Sequence, residues 1–258
     1  MQHLVSSLKD GGHLVYAWFE AMHTRIDLML WDRTIDKETL LEVMKEIRSD
    51  VLRIENMGSC FISESELSSL NKAPVGTSVR LSDELYSILS RCTDHNKATE
   101  GFFDVAVSRD VPGLMLDEKI QLGADNMVAR IRDEVYINLS GYLKGYALDR
   151  AVAKARNAHI GNGLISFGNS SIGAFGNHPN GKGWPVSTVQ GNENEYHICD
   201  MFLTSSGNET EERTHIINPL TGELIRGKGM VSVMTGTAEE GEVLSTVTFI
   251  KNNKTKTI

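Results

Sequence analysis

Ile137-Asn-Leu-Ser-Gly-Tyr-Leu-Lys-Gly-Tyr-Ala-Leu-Asp149 is the stretch whose reading decides the fold. Val135 to Leu139 read as a short buried strand, Ser140-Gly141 as a tight turn, and about Lys144 to Asn157 as a helix. Ala147, Ala151, Ala153 and Ala155 give that helix small side chains, which allow a neighbouring element to come close. A helix start presents free backbone N–H groups that attract phosphate, and Lys144 adds a cation there. A plain strand-to-helix turn with Lys144 in solvent has the same sequence signature, so the residues alone leave both readings open.

Upstream, Val15 to Trp31 is strand-like and reads as two paired strands. Arg25, Asp27 and Trp31 face one way, and Ile26, Leu28 and Leu30 the other. Asp36 is placed to cap an amphipathic helix over Lys37 to Glu55, whose Leu40, Met44, Ile47, Val51 and Ile54 recur at helical spacing. Met57-Gly58 ends it. Ser59 to Asn71 reads as a loop and a short helix. A second amphipathic helix starts near Ser82, with Leu85, Ile88, Leu89 and Cys92 as its buried stripe. Gly101 to Val107 reads as loop and short strand, and the charge of residues 108–134 suggests surface. Downstream, Gly163 to Gly168 reads as a strand and Gly173 to Trp184 as a turn-rich connection. Tyr196 to Ser205 and Met230 to Thr237 read as strands, and Glu239 to Phe249 as a final helix. Helices interleave with short, partly alternating strands, so the class is α+β with mixed sheet.

Length and composition narrow the function. The 258 residues, 40% hydrophobic and 23% charged, suit one large domain or two lobes with a sizeable core. A net charge of −8 without a long basic run disfavours a nucleic-acid partner. Cys60, Cys92 and Cys199 are far apart and form no Cys-x-x-Cys pair, which argues against a structural zinc or a disulfide framework. The stretch from Met1 to Lys9 has no basic segment followed by a long apolar run, and no lipid-anchor cysteine is visible. The expectation is a cytoplasmic protein without stable membrane insertion.

Three further segments carry chemistry. Glu242 and Thr246 are four residues apart and share a helical face, and a carboxylate with a hydroxyl suits magnesium. A solvated Glu beside a Thr bonded to its own backbone would look the same. Gly101-Phe-Phe-Asp104 could set a packing wall with Phe103 and a hydrogen-bonding edge with Asp104, or form a turn capped by Asp104. His215-Ile-Ile-Asn-Pro-Leu-Thr-Gly222 offers a histidine that could act as a base or simply order the turn.

The joint order of these segments, from about Phe19 to Ile250, resembles the FAD:protein FMN transferases, the ApbE-like family. The motifs are Thr99 with Gly101-Phe-Phe-Asp104, Lys144-Gly145-Tyr146 with Asp149, His215 to Gly222, and Glu242 with Thr246. The resemblance implies one ApbE-like domain over residues 1–258, built of mixed sheets flanked by helices in two closely packed lobes that divide near residue 135. It implies FAD as substrate and Mg2+ held by Glu242, Thr246 and a backbone carbonyl assigned to Gly141. It places Met22, Thr24, Ser65, Asn71, Phe103, Asp104, Gly168, Ser206 and Gly207 near the flavin nucleotide. His215 becomes the candidate base and Lys144 the phosphate clamp. The implied reaction moves FMN from FAD to a threonine hydroxyl of an acceptor flavoprotein and releases AMP. Five positions depart from the pattern: His23 and Asn169 replace glycines, Asn138 and Asn208 replace aspartates, and Glu242 replaces an aspartate. These departures motivate two alternatives, a catalytically impaired flavin-binding protein on the same scaffold and a Mg-dependent FAD pyrophosphatase.

Overall fold

The computed structural model describes residues 1–9, 11–187, 195–212 and 214–253. Its elements in chain order are β1 (Gln2–Ser7), β2 (His13–Ala21), β3 (Thr24–Asp32), α1 (Lys37–Gly58), α2 (Glu66–Lys72), β4 (Val79–Arg80) and α3 (Asp83–Ala98). There follow β5 (Ile120–Leu122), β6 (Met127–Arg130), α4 (Leu143–Asn157), β7 (Asn162–Phe167), β8 (Ser171–Phe175) and β9 (Trp184–Ser187). The last are β10 (Glu195–Ile198), β11 (Met201–Asn208), β12 (Gly229–Thr235) and α5 (Ala238–Asn253). The chain forms two compact units. The first comprises Met1–Glu55, Leu143–Ser206 and Ser232–Ser245; the second comprises Asn56–Tyr142, Gly207–Val231 and Thr246–Ile258.

A seven-stranded sheet of order β1-β2-β3-β7-β8-β11-β12 underlies the first unit. Its ladders of described register are antiparallel. Alternation explains the register. Val15, Ala17, Phe19, Ile26, Leu28 and Leu30 are buried on one face. On the other, Trp31, Leu164, Ile172, Ala174 and Leu203 pack against Trp184, Val186 and Ile198 of the β9–β10 hairpin. A sheet covered on both faces buries its central strands along their whole length, and every residue of β7 and β8 but Asn162 is buried. All six residues of β1 are exposed, so it adds backbone pairing rather than core. The apolar stripe of α1 is fully buried, and the Asp36 carboxylate accepts from the Thr39 N–H at 2.7 Å to cap it.

The second unit packs α2, α3 and the three-stranded sheet β4-β6-β5. Leu85, Ile88, Leu89 and Cys92 form the buried face of α3, and Ser82 caps it through the Leu85 N–H at 3.3 Å. Two of its strands, β5 and β6, lie in the stretch whose charge suggested only surface.

Three expectations are corrected. Val135 to Leu139 alternates in burial like a strand but joins no sheet. Loop backbone and side chains satisfy it instead: the Asn138 N–H donates to the Val105 carbonyl at 2.7 Å, Asn71 accepts from the Ile137 N–H and donates to the Ile137 carbonyl, at 2.9 and 2.8 Å, and Arg130 donates to the Val135 carbonyl. Residues 101–107 contain no strand, because their turns are held by Thr99 and Asn96. The glycine-rich stretch from Gly173 begins inside β8 rather than in a connection. There a Cβ on Gly173 would lie 2.7 Å from the Phe202 ring, so the glycine serves strand packing.

Candidate functional site

In the first unit the sequence places a lysine, a glutamate and two serines together. Lys144 lies in the first turn of α4 and donates to Ser170 Oγ at 3.0 Å. Glu242 lies in α5, is 4% exposed, and accepts from Ser171 Oγ at 2.6 Å. Burial pushes the Glu242 carboxyl up from its usual range, while the Lys144 charge and the Ser171 hydrogen bond pull it back. Ser171 was not foreseen from the sequence. Its signal was faint: a hydroxyl at the start of a strand, one residue past the Gly168-Asn169-Ser170 turn.

Gly145 explains how a glutamate fits. A Cβ at Gly145 would lie 2.6 Å from the Ala238 carbonyl oxygen and 2.7 Å from Glu242 Cγ. The missing side chain therefore leaves room for the glutamate's methylenes against α4. Asp149, one helical turn later on α4, accepts from the Ala238 and Glu239 N–H groups at 2.8 and 2.9 Å.

Two more predicted residues meet at the turns. Thr24 pairs with Ala21 across the two-residue loop Met22-His23, both at positive φ, and the Met22 N–H donates to Glu55 at 2.8 Å. This is the backbone of a type I′ hairpin, which favours glycine or asparagine. The glycine expected at position 23 has a conformational reason, and His23 adopts the same left-handed backbone, with φ 57°. Gly168, at φ 62°, lies against Thr24: an added Cβ would fall 2.1 Å from Thr24 Oγ1. Asn169 follows at φ 59°, a conformation that asparagine tolerates. Ser206 Oγ and Ser245 Oγ are 2.7 Å apart, which ties β11 to α5.

The second unit holds the remaining predicted residues. The Asp104 side chain is wholly buried; it ion-pairs with that of Lys119, itself 1% exposed, and accepts from the Ala106 N–H at 2.7 Å. Phe103 is buried against His95 and Tyr142. Ser65 caps α2 and donates to the Ser59 carbonyl at 2.6 Å, and Asn71 holds Ile137. These residues build the walls of the unit by internal hydrogen bonds. Gly207, at φ 153°, touches the backbone of Gly229 and Met230, where an added Cβ would come within 2.1 Å of the Gly229 carbonyl oxygen. His215 is exposed, and the turn after it is organised by Asn218, which takes the Leu220 and Gly222 N–H groups and gives its own N–H to the Glu223 carbonyl. Gly141 is exposed at the turn before α4, and Thr246 is half-buried on α5. Sequence reasoning missed Lys119 and Asn96; the latter donates to the Phe103 carbonyl and accepts from the Leu116 N–H. Lys119 lies in the stretch read as surface, where a lone lysine gives no hint of burial.

Two of the replaced aspartates are absorbed locally. Asn138 Oδ1 accepts from the Ser140 N–H at 2.9 Å, as an aspartate would. Asn208 is different: its buried amide donates to the Ile225 and Gly227 carbonyls at 2.9 and 3.0 Å, which a carboxylate cannot do. Among the described residues no group of three or more His, Cys, Asp and Glu could hold a metal ion, and no helix is long and apolar enough to cross a membrane.

A model of the ApbE family matches residues 22–257, and the chain belongs to that family. It is 24% identical over 248 residues to the FAD:protein FMN transferase of Haemophilus influenzae, covering 80% of this chain and 71% of that one. It is 28% identical over 190 residues to that of Chlamydia pneumoniae, covering 62% and 59%. The ApbE protein of Thermotoga maritima superposes with a TM-score of 0.79 at 22% identity, over 93% of this chain and 88% of that one, which establishes the shared fold.

Proposed function

We propose that this chain is an FAD:protein FMN transferase that esterifies a threonine hydroxyl of an acceptor protein with FMN and releases AMP. The observation that carries this reading is the buried Glu242 beside Lys144 and Ser171, near the N-terminal ends of α4 and α5. Glu242, Thr246 and the Gly141 carbonyl would hold Mg2+. They are hard oxygen donors, and magnesium is commonly bound by few protein groups, with phosphate oxygens and water completing the octahedron. When bound, the ion neutralises charge on the pyrophosphate oxygens. Lys144 adds a second cation for the same phosphates. His215 accepts the proton of the attacking hydroxyl, whose oxygen forms the new bond to the phosphorus of the FMN half. The bond from that phosphorus to the bridging oxygen breaks, and AMP leaves with the oxygen.

The departures from the family pattern support retained chemistry over a degenerate scaffold. His23 and Asn169 occupy the left-handed turns, Asn138 keeps its turn, and Gly145 leaves room for the longer Glu242. The test is to mix the protein with FAD and a threonine-bearing acceptor, with and without Mg2+, and to quantify AMP, FMN and acceptor-bound flavin. Mg-dependent AMP release with flavin on the acceptor is expected. AMP and FMN without labelled acceptor would replace transfer by hydrolysis, and FAD binding without AMP would reduce the chain to a binder.

A further inference from the structure

Helix α5 carries Glu242 and Thr246, so its placement decides where those oxygens lie. Its four leading N–H groups are all accounted for. Thr237 takes two in the ordinary local way: Oγ1 accepts from Glu240 at 3.3 Å and the carbonyl accepts from Gly241 at 3.2 Å. The other two, from Ala238 and Glu239, go to the two oxygens of Asp149 at 2.8 and 2.9 Å. Asp149 lies far away in sequence, on α4. A local cap stabilises a helix without saying where the helix sits. A carboxylate on a different helix, bridging two consecutive N–H groups, sets both the axial position and the rotation of the helix it caps.

Gly145 lies one turn earlier on the same face of α4. A Cβ there would stand 2.6 Å from the Ala238 carbonyl oxygen and 2.7 Å from Glu242 Cγ. Gly241 closes α5 from another side: its would-be Cβ lies 2.3 Å from Thr204 Oγ1 on β11. The first turn of α5 thus has one seat. Glu242 follows Ala238 by four residues and lies above the capped N–H on the same face.

We infer that Asp149 is the positioning residue for Glu242: by capping α5 from α4 it sets the register that puts the Glu242 carboxylate beside Ser171. The inference rests on the reading of Glu242 as a metal ligand. A slip of one residue along a helix moves a side chain by about 1.5 Å along the axis and by about a quarter turn around it. Magnesium and manganese sites of octahedral geometry do not tolerate that displacement.

The experiment measures Mn2+ binding to the full chain by electron paramagnetic resonance, alongside circular dichroism melts. The variants are Asp149→Ala, Asp149→Asn, Glu242→Gln and the Asp149→Ala, Glu242→Gln double. Wild type binds and Glu242→Gln weakens binding. Asp149→Ala, folded at the assay temperature, weakens Mn2+ binding at least tenfold. Asp149→Asn keeps one acceptor oxygen and recovers part of that loss, and it carries the test where the alanine variant does not fold. In the Glu242→Gln background Asp149→Ala causes no further loss beyond twofold, because its effect runs through that carboxylate. An Asp149→Ala or Asp149→Asn protein that melts earlier but binds Mn2+ like wild type overturns the positioning role and leaves the metal assignment standing. Equal Mn2+ binding by wild type and Glu242→Gln, or none by wild type, overturns the metal assignment and the inference with it.

Discussion

Replacing Lys119 with methionine removes one partner of a buried ion pair at nearly constant volume. Lys119 and Asp104 have side-chain exposures of 1% and 0%, so neither can turn to water when the other is lost. Breaking such a pair by removing one partner costs about 3–5 kcal/mol, because an uncompensated charge stays buried. The pH dependence has a definite sign. Burial raises the Asp104 carboxyl, and the Lys119 charge and hydrogen bond pull it back. Without Lys119 it rises further. A carboxyl raised in the folded state contributes stability that is complete below its unfolded pKa, about 3.9, and is lost as pH climbs through the folded value. The deficit of Lys119→Met relative to wild type is therefore largest near neutrality and shrinks as pH falls. Urea unfolding of both proteins at several pH values measures it. The double variant Asp104→Asn, Lys119→Met removes the stranded charge while keeping an acceptor for the Ala106 N–H, and it recovers at least half the loss. A deficit below 1 kcal/mol at neutral pH, or one independent of pH, would refute the reasoning.

Four further outcomes are expected. Asn208→Asp replaces a buried double donor by an acceptor facing the Ile225 and Gly227 carbonyls, and lowers stability by about 2–4 kcal/mol in chemical denaturation. Gly168→Ala combines positive φ with a Cβ 2.1 Å from Thr24 Oγ1, and costs about 1–3 kcal/mol by the same assay. His23→Gly relieves a left-handed residue and stabilises by up to about 1 kcal/mol in thermal melts. Glu242→Gln raises the melting temperature of the metal-free protein at neutral pH. The native carboxyl is raised by burial, so its stabilising contribution is already lost as pH rises through the folded value; the gain disappears in acid.

The elements with strong periodicity were legible in the chain. Helices α1, α3 and α4 and the β2–β3 pair follow from apolar spacing and capping residues, because such elements are specified by neighbours within one or two turns. The family was legible too, from the order of its motifs, and the matching family model bears it out. The residues around Val135 to Leu139 show where local reading ends: their apolar alternation is real, yet their hydrogen-bond partners are Asn71, Arg130 and the Val105 carbonyl rather than a strand. Sequence pattern reports which side chains are buried; it does not report what receives the backbone.

The same division holds at the site. The chain by itself determined that Glu242 and Thr246 share a helical face and that Lys144 opens a helix after a glycine turn, since those relations are set by helical geometry alone. Only the tertiary structure decided that Glu242 is buried beside Ser171, that Gly145 makes room for it, and that Asp149 caps α5 from another helix. Likewise only the fold placed Lys119 against Asp104. Each of these contacts joins residues distant in sequence. Their chemistry comes from desolvation and close approach, which exist only once the elements have packed.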